Sequence, residues 1–112
     1  MKLPPRRADD FNEDFDRQYR WYLAEADEAV AERYLAAVLS TLRLLAEQPE
    51  LGRRRKFRHP ALREMRSFRL VNPFGVHVLF YRIVSGELVA ERLMHGSRDL
   101  PRRLTEPPGS ES

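Results

Sequence analysis

The sequence predicts an α+β fold, in which an N-terminal helical hairpin packs on a three- to four-stranded antiparallel β-sheet. Apolar residues recur at helical spacing through the first half of the chain, whereas three later runs are rich in Val, Leu, Phe and Tyr. Turn signals at Asn72-Pro73 and Ser85-Gly86 separate those later runs. Two helices cannot bury their aromatic residues alone, so the strands should supply the second layer.

The first helix is predicted from about Asp10 to Ala26. Asp9 or Asp10 offers a side-chain acceptor to the free amides of its first turn. Its apolar residues follow at steps of four and three: Phe11, Phe15, Tyr19, Tyr22 and Ala26. These aromatics at helical spacing indicate a core-facing stripe rather than a cofactor site.

A second helix should begin at a cap on Asp27 and end before Pro49 and Gly52. Its apolar face comprises Val30, Tyr34, Val38, Thr41, Leu42 and Leu45. Because few residues separate the two helices, they should run antiparallel as a hairpin with both stripes turned to the sheet.

Three strands are predicted within Arg63 to Leu70, Gly75 to Val84 and Glu87 to Met94. A further strand near Lys2-Leu3 is expected only at an edge, because the prolines that follow it cannot donate to a ladder. Both sides of the middle run are apolar, so it should be central and its second face should be covered. A partner segment is the expected cover, and the alternative is the chain's own C-terminus.

Length and composition predict a single domain over 1–104, followed by a disordered tail over 105–112 that is polar and rich in proline. The chain contains no cysteine and has no apolar N-terminal run, which favours a cytoplasmic protein without disulfides. No metal or other cofactor is expected.

Charge is distributed unevenly although the net charge is only +3. Residues 9–32 hold nine acids and two arginines, whereas residues 52–71 hold eight bases and one acid. The four consecutive cations Arg53, Arg54, Arg55 and Lys56 fall in the second segment, in a predicted loop. Phe57 is the only aromatic beside them and no DNA-binding motif accompanies them, so an acidic partner or plain solvation explains them at least as well as phosphate contacts.

Residues 66–101 resemble the RelE/ParE superfamily of toxins, and ParE more than RelE. The matching elements are Arg66-Ser67-Phe68, the strand His77–Arg82, the turn Ser85-Gly86-Glu87 and the closing segment His95–Leu100. The resemblance implies a RelE/ParE-like fold and a bacterial toxin that is co-expressed with an antitoxin and silenced by it. ParE-type relatives block DNA gyrase, and RelE-type relatives cut ribosome-bound mRNA.

We therefore expect the toxin component of a type II toxin-antitoxin system that inhibits growth by binding gyrase and is not an enzyme. The expected partner is a cognate, ParD-like ribbon-helix-helix antitoxin in a hetero-oligomer, with no sequence-specific nucleic-acid binding and no membrane association. The alternatives are a metal-independent, ribosome-dependent mRNA endonuclease and a retained copy of the fold that is not toxic.

An endonuclease would need groups for proton transfer and for stabilising the phosphate, and the candidates are His95, Arg82, Arg92 and His77. Simple strand alternation puts no histidine beside an arginine on one surface, and the tail lacks the further aromatic or basic groups of RNase-type relatives. Both observations favour binding over catalysis.

The residues expected to contact the antitoxin or the target are Arg66, Phe80, Arg82, Arg98 and Asp99. The first three are expected closest to an apolar antitoxin segment flanked by acids. Gly96 allows a tight turn in the closing motif, and Asp99 can accept from amides or pair with an arginine. The motif is therefore interpreted first as a structural lock and second as a target contact.

Overall fold

A computed structural model describes residues 3–96 and 100–109. Two long helices are followed by most of the sheet and by a short C-terminal helix. In chain order the elements are β1 (Pro5–Arg7), α1 (Asp9–Glu25), α2 (Glu28–Glu47), β2 (Arg53–Arg54), a 3-10 turn (Pro60–Leu62), β3 (Arg66–Arg69), β4 (His77–Val84), β5 (Glu87–His95) and α3 (Leu100–Leu104). The predicted α+β fold with a helical hairpin on a sheet is confirmed.

The sheet has five strands in the order β1-β5-β4-β3-β2. β3, β4 and β5 form the predicted antiparallel meander. The prediction of an all-antiparallel sheet is wrong at one edge, because β1 pairs parallel to β5, with Pro5 opposite Leu88. The Pro4 carbonyl accepts from the Leu88 amide, so a proline that cannot donate still joins an edge ladder as an acceptor.

The two helix starts differ in how they are capped. Asp27 accepts from the Val30 amide at 2.8 Å, which confirms it as the N-cap of α2. The α1 cap is instead Ala8, whose side chain offers no acceptor. Asp9 and Asp10 lie inside the first turn, so the predicted side-chain cap is wrong, and their charge acts on the helix dipole instead.

The chain itself covers one face of the sheet with its helices and also covers part of the other face. The helices cover the first face, around buried Tyr34, Leu45, Leu79 and Tyr81. The second face holds a smaller buried cluster made of Leu62, Met65, Val78, Phe80, Met94 and Leu104. The expectation that a partner covers this part of the face is wrong, because the segment around the 3-10 turn and Leu104 of α3 do so.

A β-bulge sets which side chains of β5 reach each core. Phe80 lies opposite Arg92 while the next residue, Tyr81, lies opposite Ala90, so Glu91 is the extra residue. The bulge lets Ala90 and Leu93 pack on the same helix-covered face although strict alternation would separate them.

Candidate functional site

His77 and His95 lie opposite each other at one end of the β4–β5 ladder. Their ring centroids are 5.8 Å apart. His77 is buried, and its Nε2 lies 2.8 Å from the Tyr22 hydroxyl of α1. Burial, and then the neighbouring His95, lower the pKa of His77 from 6.5 to about 4. His77 is therefore neutral near pH 7, and its ring joins α1 to the sheet.

The two histidines open onto a cleft of about 480 Å³ between α1 and the ends of β4 and β5. Arg17 and Trp21 of α1 line the same cleft, and the Trp21 side chain is exposed. The expectation that no histidine lies beside an arginine concerned the strands alone, and the arginine of this cleft belongs to α1. Alternation along the strands could not reveal this, because the arginine comes from a helix packed across the strand ends.

Arg92 forms a buried ion pair with Asp14 of α1. Its Nε lies 2.8 Å from Oδ2 and its Nη2 lies 3.1 Å from Oδ1 of that carboxylate. Asp14 Oδ2 also accepts from the Leu93 amide at 3.0 Å, at a point where β5 has no neighbouring β1 residue. Arg92 Nη1 donates to the carbonyls of Leu104 and Glu106. This Asp14–Arg92 clasp joins α1, β5 and the C-terminal segment.

Arg82 and Phe80 are held against the same segment around the 3-10 turn. Arg82 donates to the Arg63 carbonyl at 3.0 Å and to the Ala61 carbonyl at 2.7 Å. Its Nε lies 2.9 Å from Glu91 Oε2. Phe80 has no exposed surface, so in this conformation it is a core residue and not a direct contact for a partner.

Arg66 lies on the other face of the sheet from Phe80 and Arg82. Its cross-strand neighbour is Tyr81, which points to the helices. Arg66 Nη1 donates to the Gly52 carbonyl at 2.9 Å and to the Glu50 carbonyl at 3.1 Å. The three residues expected closest to an antitoxin segment are therefore divided between the two faces of the sheet, since adjacent β4 residues point to opposite faces.

The basic cluster is partly an edge strand rather than the predicted loop. Arg53 and Arg54 form β2, with Arg53 opposite Ser67 and Arg54 opposite Arg66. Arg54 pairs with Glu64 at 3.0 Å, whereas Arg55 donates to the Ser67 hydroxyl and stacks over Phe57. Lys56 is exposed. The four cations therefore do not form one uniform basic surface, because two of them have side-chain partners and Lys56 is exposed.

Arg98 and Asp99 lie outside the described residues. Within the described ranges, no group of three or more His, Asp and Glu side chains could hold a metal ion. Over the same ranges, none of the helices combines the length and the apolar character needed to cross a membrane.

Asp14 is a site residue that the sequence analysis missed, although a signal was present. It lies three residues after Phe11 and within the apolar stripe of α1, where an unpaired carboxylate would be costly. An acid at such a position indicates a buried cationic partner elsewhere in the chain.

Comparison with known proteins agrees with this architecture. A family model described as the ParE toxin of the type II toxin-antitoxin system parDE matches residues 6–100. No curated protein matches the sequence. A solved structure, described as the chromosomal ParDE toxin-antitoxin system from P. aeruginosa, has 14% sequence identity and a TM-score of 0.69. That match covers 86% of this chain and 98% of the other, and it shows the shared fold.

The fold and the family match together define the class, which is that of toxins from type II toxin-antitoxin systems. Within that class, the chain belongs to the ParE toxin family. The resemblance seen in residues 66–101 is confirmed.

Proposed function

We propose that this chain, when free, inhibits growth by binding DNA gyrase and that it performs no RNA cleavage. The observation that carries the proposal is the engagement of the arginines that a nuclease would use. Arg92 is tied into the Asp14–Arg92 clasp, and Arg82 is held by two carbonyls and Glu91. Neither guanidinium can bind a phosphate without breaking contacts that stabilise the domain.

The state of His77 supports the same proposal. A general base must reach the proton that it removes, but His77 is buried and its Nε2 is already engaged with the Tyr22 hydroxyl. Its lowered pKa also leaves it a weak base near pH 7. Of the four nuclease candidates, only His95 combines an exposed ring with no ion pair among the described residues.

The proposed partner is a cognate antitoxin of the ribbon-helix-helix class, which holds the toxin silent in a hetero-oligomer. Two observations support an antitoxin: the family to which the chain belongs, and the likeness of its fold to a solved structure described as a ParDE system. Gyrase acts on chromosomal DNA, so the proposed site of action is the bacterial cytoplasm.

Induction of the chain in a bacterial host tests the mechanism. A gyrase binder should cause filamentation and DNA damage while transcripts stay intact, and the purified chain should inhibit supercoiling by purified gyrase. Co-expression of the product of an adjacent antitoxin-like reading frame should restore growth. Full gyrase activity in the presence of excess chain would overturn the proposed target, and unaffected growth would indicate a copy of the fold that is not toxic.

A ribosome-dependent endonuclease is the second candidate, and the histidine cleft is the observation that favours it. His95 is exposed there beside His77 and near Arg17. Primer extension on transcripts soon after induction separates the two functions. Cuts at fixed codon positions that His95→Ala abolishes, with Arg43→Ala as an exposed control, would establish the nuclease and reject the proposed absence of catalysis.

A further inference from the structure

The second face of the sheet carries a groove with a volume of about 770 Å³, which we name the arginine groove. Six of its lining residues are Arg53, Arg55, Ser67, Arg69, Val76 and His95. Arg53 lies opposite Ser67, and Arg69 lies opposite Val78, so strand pairing directs these side chains to one face. The buried cluster around Phe80 covers the neighbouring part of that face but leaves the groove open.

Positive charge in the arginine groove is not compensated by the described part of the chain. No described carboxylate lines it, and none of its three arginines forms an ion pair with a described residue. Arg55 and Arg69 are nevertheless positioned, since they donate to the Ser67 hydroxyl at 3.0 Å and the Gly75 carbonyl at 2.7 Å. The guanidiniums are thus partly oriented while most of their donors remain available.

The arginines also repel one another. Burial lowers the pKa of Arg55, and the like charge of Arg53 lowers it further. A bound anion would relieve this repulsion and would accept hydrogen bonds from groups that are already in place.

The apolar part of the groove restricts what kind of anion fits. Leu51 and Val76 line it with side chains 43% and 51% exposed. The aromatic residue that lines it, Phe68, is partly buried against the helix-side core and offers no open stacking surface. Exposed aliphatic residues beside guanidiniums match a peptide with acidic and aliphatic side chains better than a nucleic acid, which would use exposed aromatic rings.

We propose that the arginine groove binds an acidic segment of the cognate antitoxin, with carboxylates on Arg53 and Arg69 and an aliphatic side chain against Leu51 and Val76. This inference rests on the proposed pairing with an antitoxin and deepens it by naming the surface and the chemistry of the segment. It replaces the expectation that Arg66, Phe80 and Arg82 form the contact.

Removing two charges from the groove tests the proposal. The variant Arg53→Gln/Arg69→Gln should bind the product of the adjacent reading frame about tenfold or more weakly, because two charge-assisted hydrogen bonds are lost. The dependence of its Kd on salt should also be shallower. Isothermal titration calorimetry at several salt concentrations measures both quantities.

The matched control is Arg33→Gln/Arg43→Gln, which removes two exposed charges from α2. Its affinity should stay within about twofold, as expected for surface changes outside a contact. Arg53→Lys/Arg69→Lys keeps the charge and should recover part of the affinity, and thermal unfolding of each variant verifies that it is folded. Equal binding by the groove variant and the unaltered chain would overturn the groove while leaving the pairing intact.

A synthetic probe tests the groove without the antitoxin. A fluorescein-labelled peptide of alternating Glu and Leu should bind the unaltered chain and the α2 control, and it should lose affinity for the groove variant. A single-stranded oligonucleotide of equal charge that binds the groove more tightly than the peptide would overturn the peptide assignment. Failure of the antitoxin to bind the unaltered chain would reject the proposed pairing and this inference with it.

Discussion

Asp14 and its partner Arg92 illustrate how one buried ion pair stabilises the junction of three elements. Both side chains are less than a tenth exposed, and the carboxylate meets the guanidinium through two oxygens. Such a pair contributes little compared with a well-packed apolar pair, but loss of one partner leaves an uncompensated buried charge.

We therefore expect Asp14→Ala to lower the free energy of unfolding by about 3 to 5 kcal/mol, because Arg92 loses its carboxylate partner and the Leu93 amide loses its side-chain acceptor. The control is Asp16→Ala, which breaks an exposed pair with Arg20 and should change stability by about 0 to 1 kcal/mol. Urea unfolding measures both values. A similar small loss for both variants would show that the clasp is not a stabilising contact.

His77 should make the stability of the domain depend on pH. Its pKa in the folded chain is about 4, below its ordinary value of 6.5, so the unfolded chain binds more protons between these limits. The contribution of neutral His77 is fully present above pH 6.5 and is lost as the pH falls toward 4. Between pH 7.5 and pH 5, the unaltered chain should lose about 1 to 2 kcal/mol more than His77→Gln, which cannot titrate. Identical losses in urea titrations at the two pH values would contradict this assignment.

At the scale of elements, the connection from α2 to β2 depends on a close approach at Gly52. The Gly52 amide donates to the Tyr81 hydroxyl at 2.9 Å, and that hydroxyl donates to the Pro49 carbonyl at 2.7 Å. A Cβ at residue 52 would lie only 2.6 Å from Tyr81 Cε1. The absence of a side chain at residue 52 therefore leaves room for the Tyr81 ring.

Gly52→Ala should destabilise the domain by about 1 to 3 kcal/mol, because the buried Tyr81 ring must move. Gly75→Ala is the matched control, since the nearest atom to its new Cβ, the Leu70 carbonyl oxygen, lies 3.8 Å away. That change should stay within about 0.5 kcal/mol. Thermal unfolding of the two variants decides the point, and equal melting temperatures would refute the steric argument.

The elements that the sequence predicts well are those with a local signal. The stripe beginning at Phe11 and the cap at Asp27 depend on residues a few positions apart, and the structure contains both helices. The parallel strand β1 and the bulge at Glu91 depend on partners far along the chain, and periodicity within a segment does not encode them. The contacts of Arg92 and Arg82 could not be predicted for the same reason. Their partners lie in α1 and in the segment around the 3-10 turn, which are far from both arginines in sequence.

At the scale of the whole molecule, the C-terminal boundary of the domain can be tested. The predicted domain ends at residue 104, and the tail that begins at Thr105 stays a prediction. The Glu106 carbonyl nevertheless accepts from Arg92 at 2.6 Å, and the Thr105 amide donates to the Arg102 carbonyl. The contacts of the clasp thus reach past the predicted boundary.

A chain that ends after Glu106 should keep nearly full stability, within about 0.5 kcal/mol of the unaltered chain. A chain that ends after Leu104 should lose a further 1 to 2 kcal/mol or so, because Arg92 loses an acceptor for a charged donor. Urea unfolding of the two truncated chains gives the comparison. Equal stability would place the boundary at 104, as the sequence predicts.

The parallel pairing of β1 with β5 has a consequence for how the protein matures. Pro5 finds its partner only at Leu88, and the clasp joins residues separated by 78 positions. Contacts between residues far apart in sequence form slowly. The chain between them must first lose conformational entropy, and the contacts compensate this loss only once they have formed. During synthesis, β1 therefore cannot pair in the sheet until β5 has left the ribosome. The nascent domain reaches its native form only after β5 has been synthesised, so its helical hairpin alone carries none of the surfaces that the strands create.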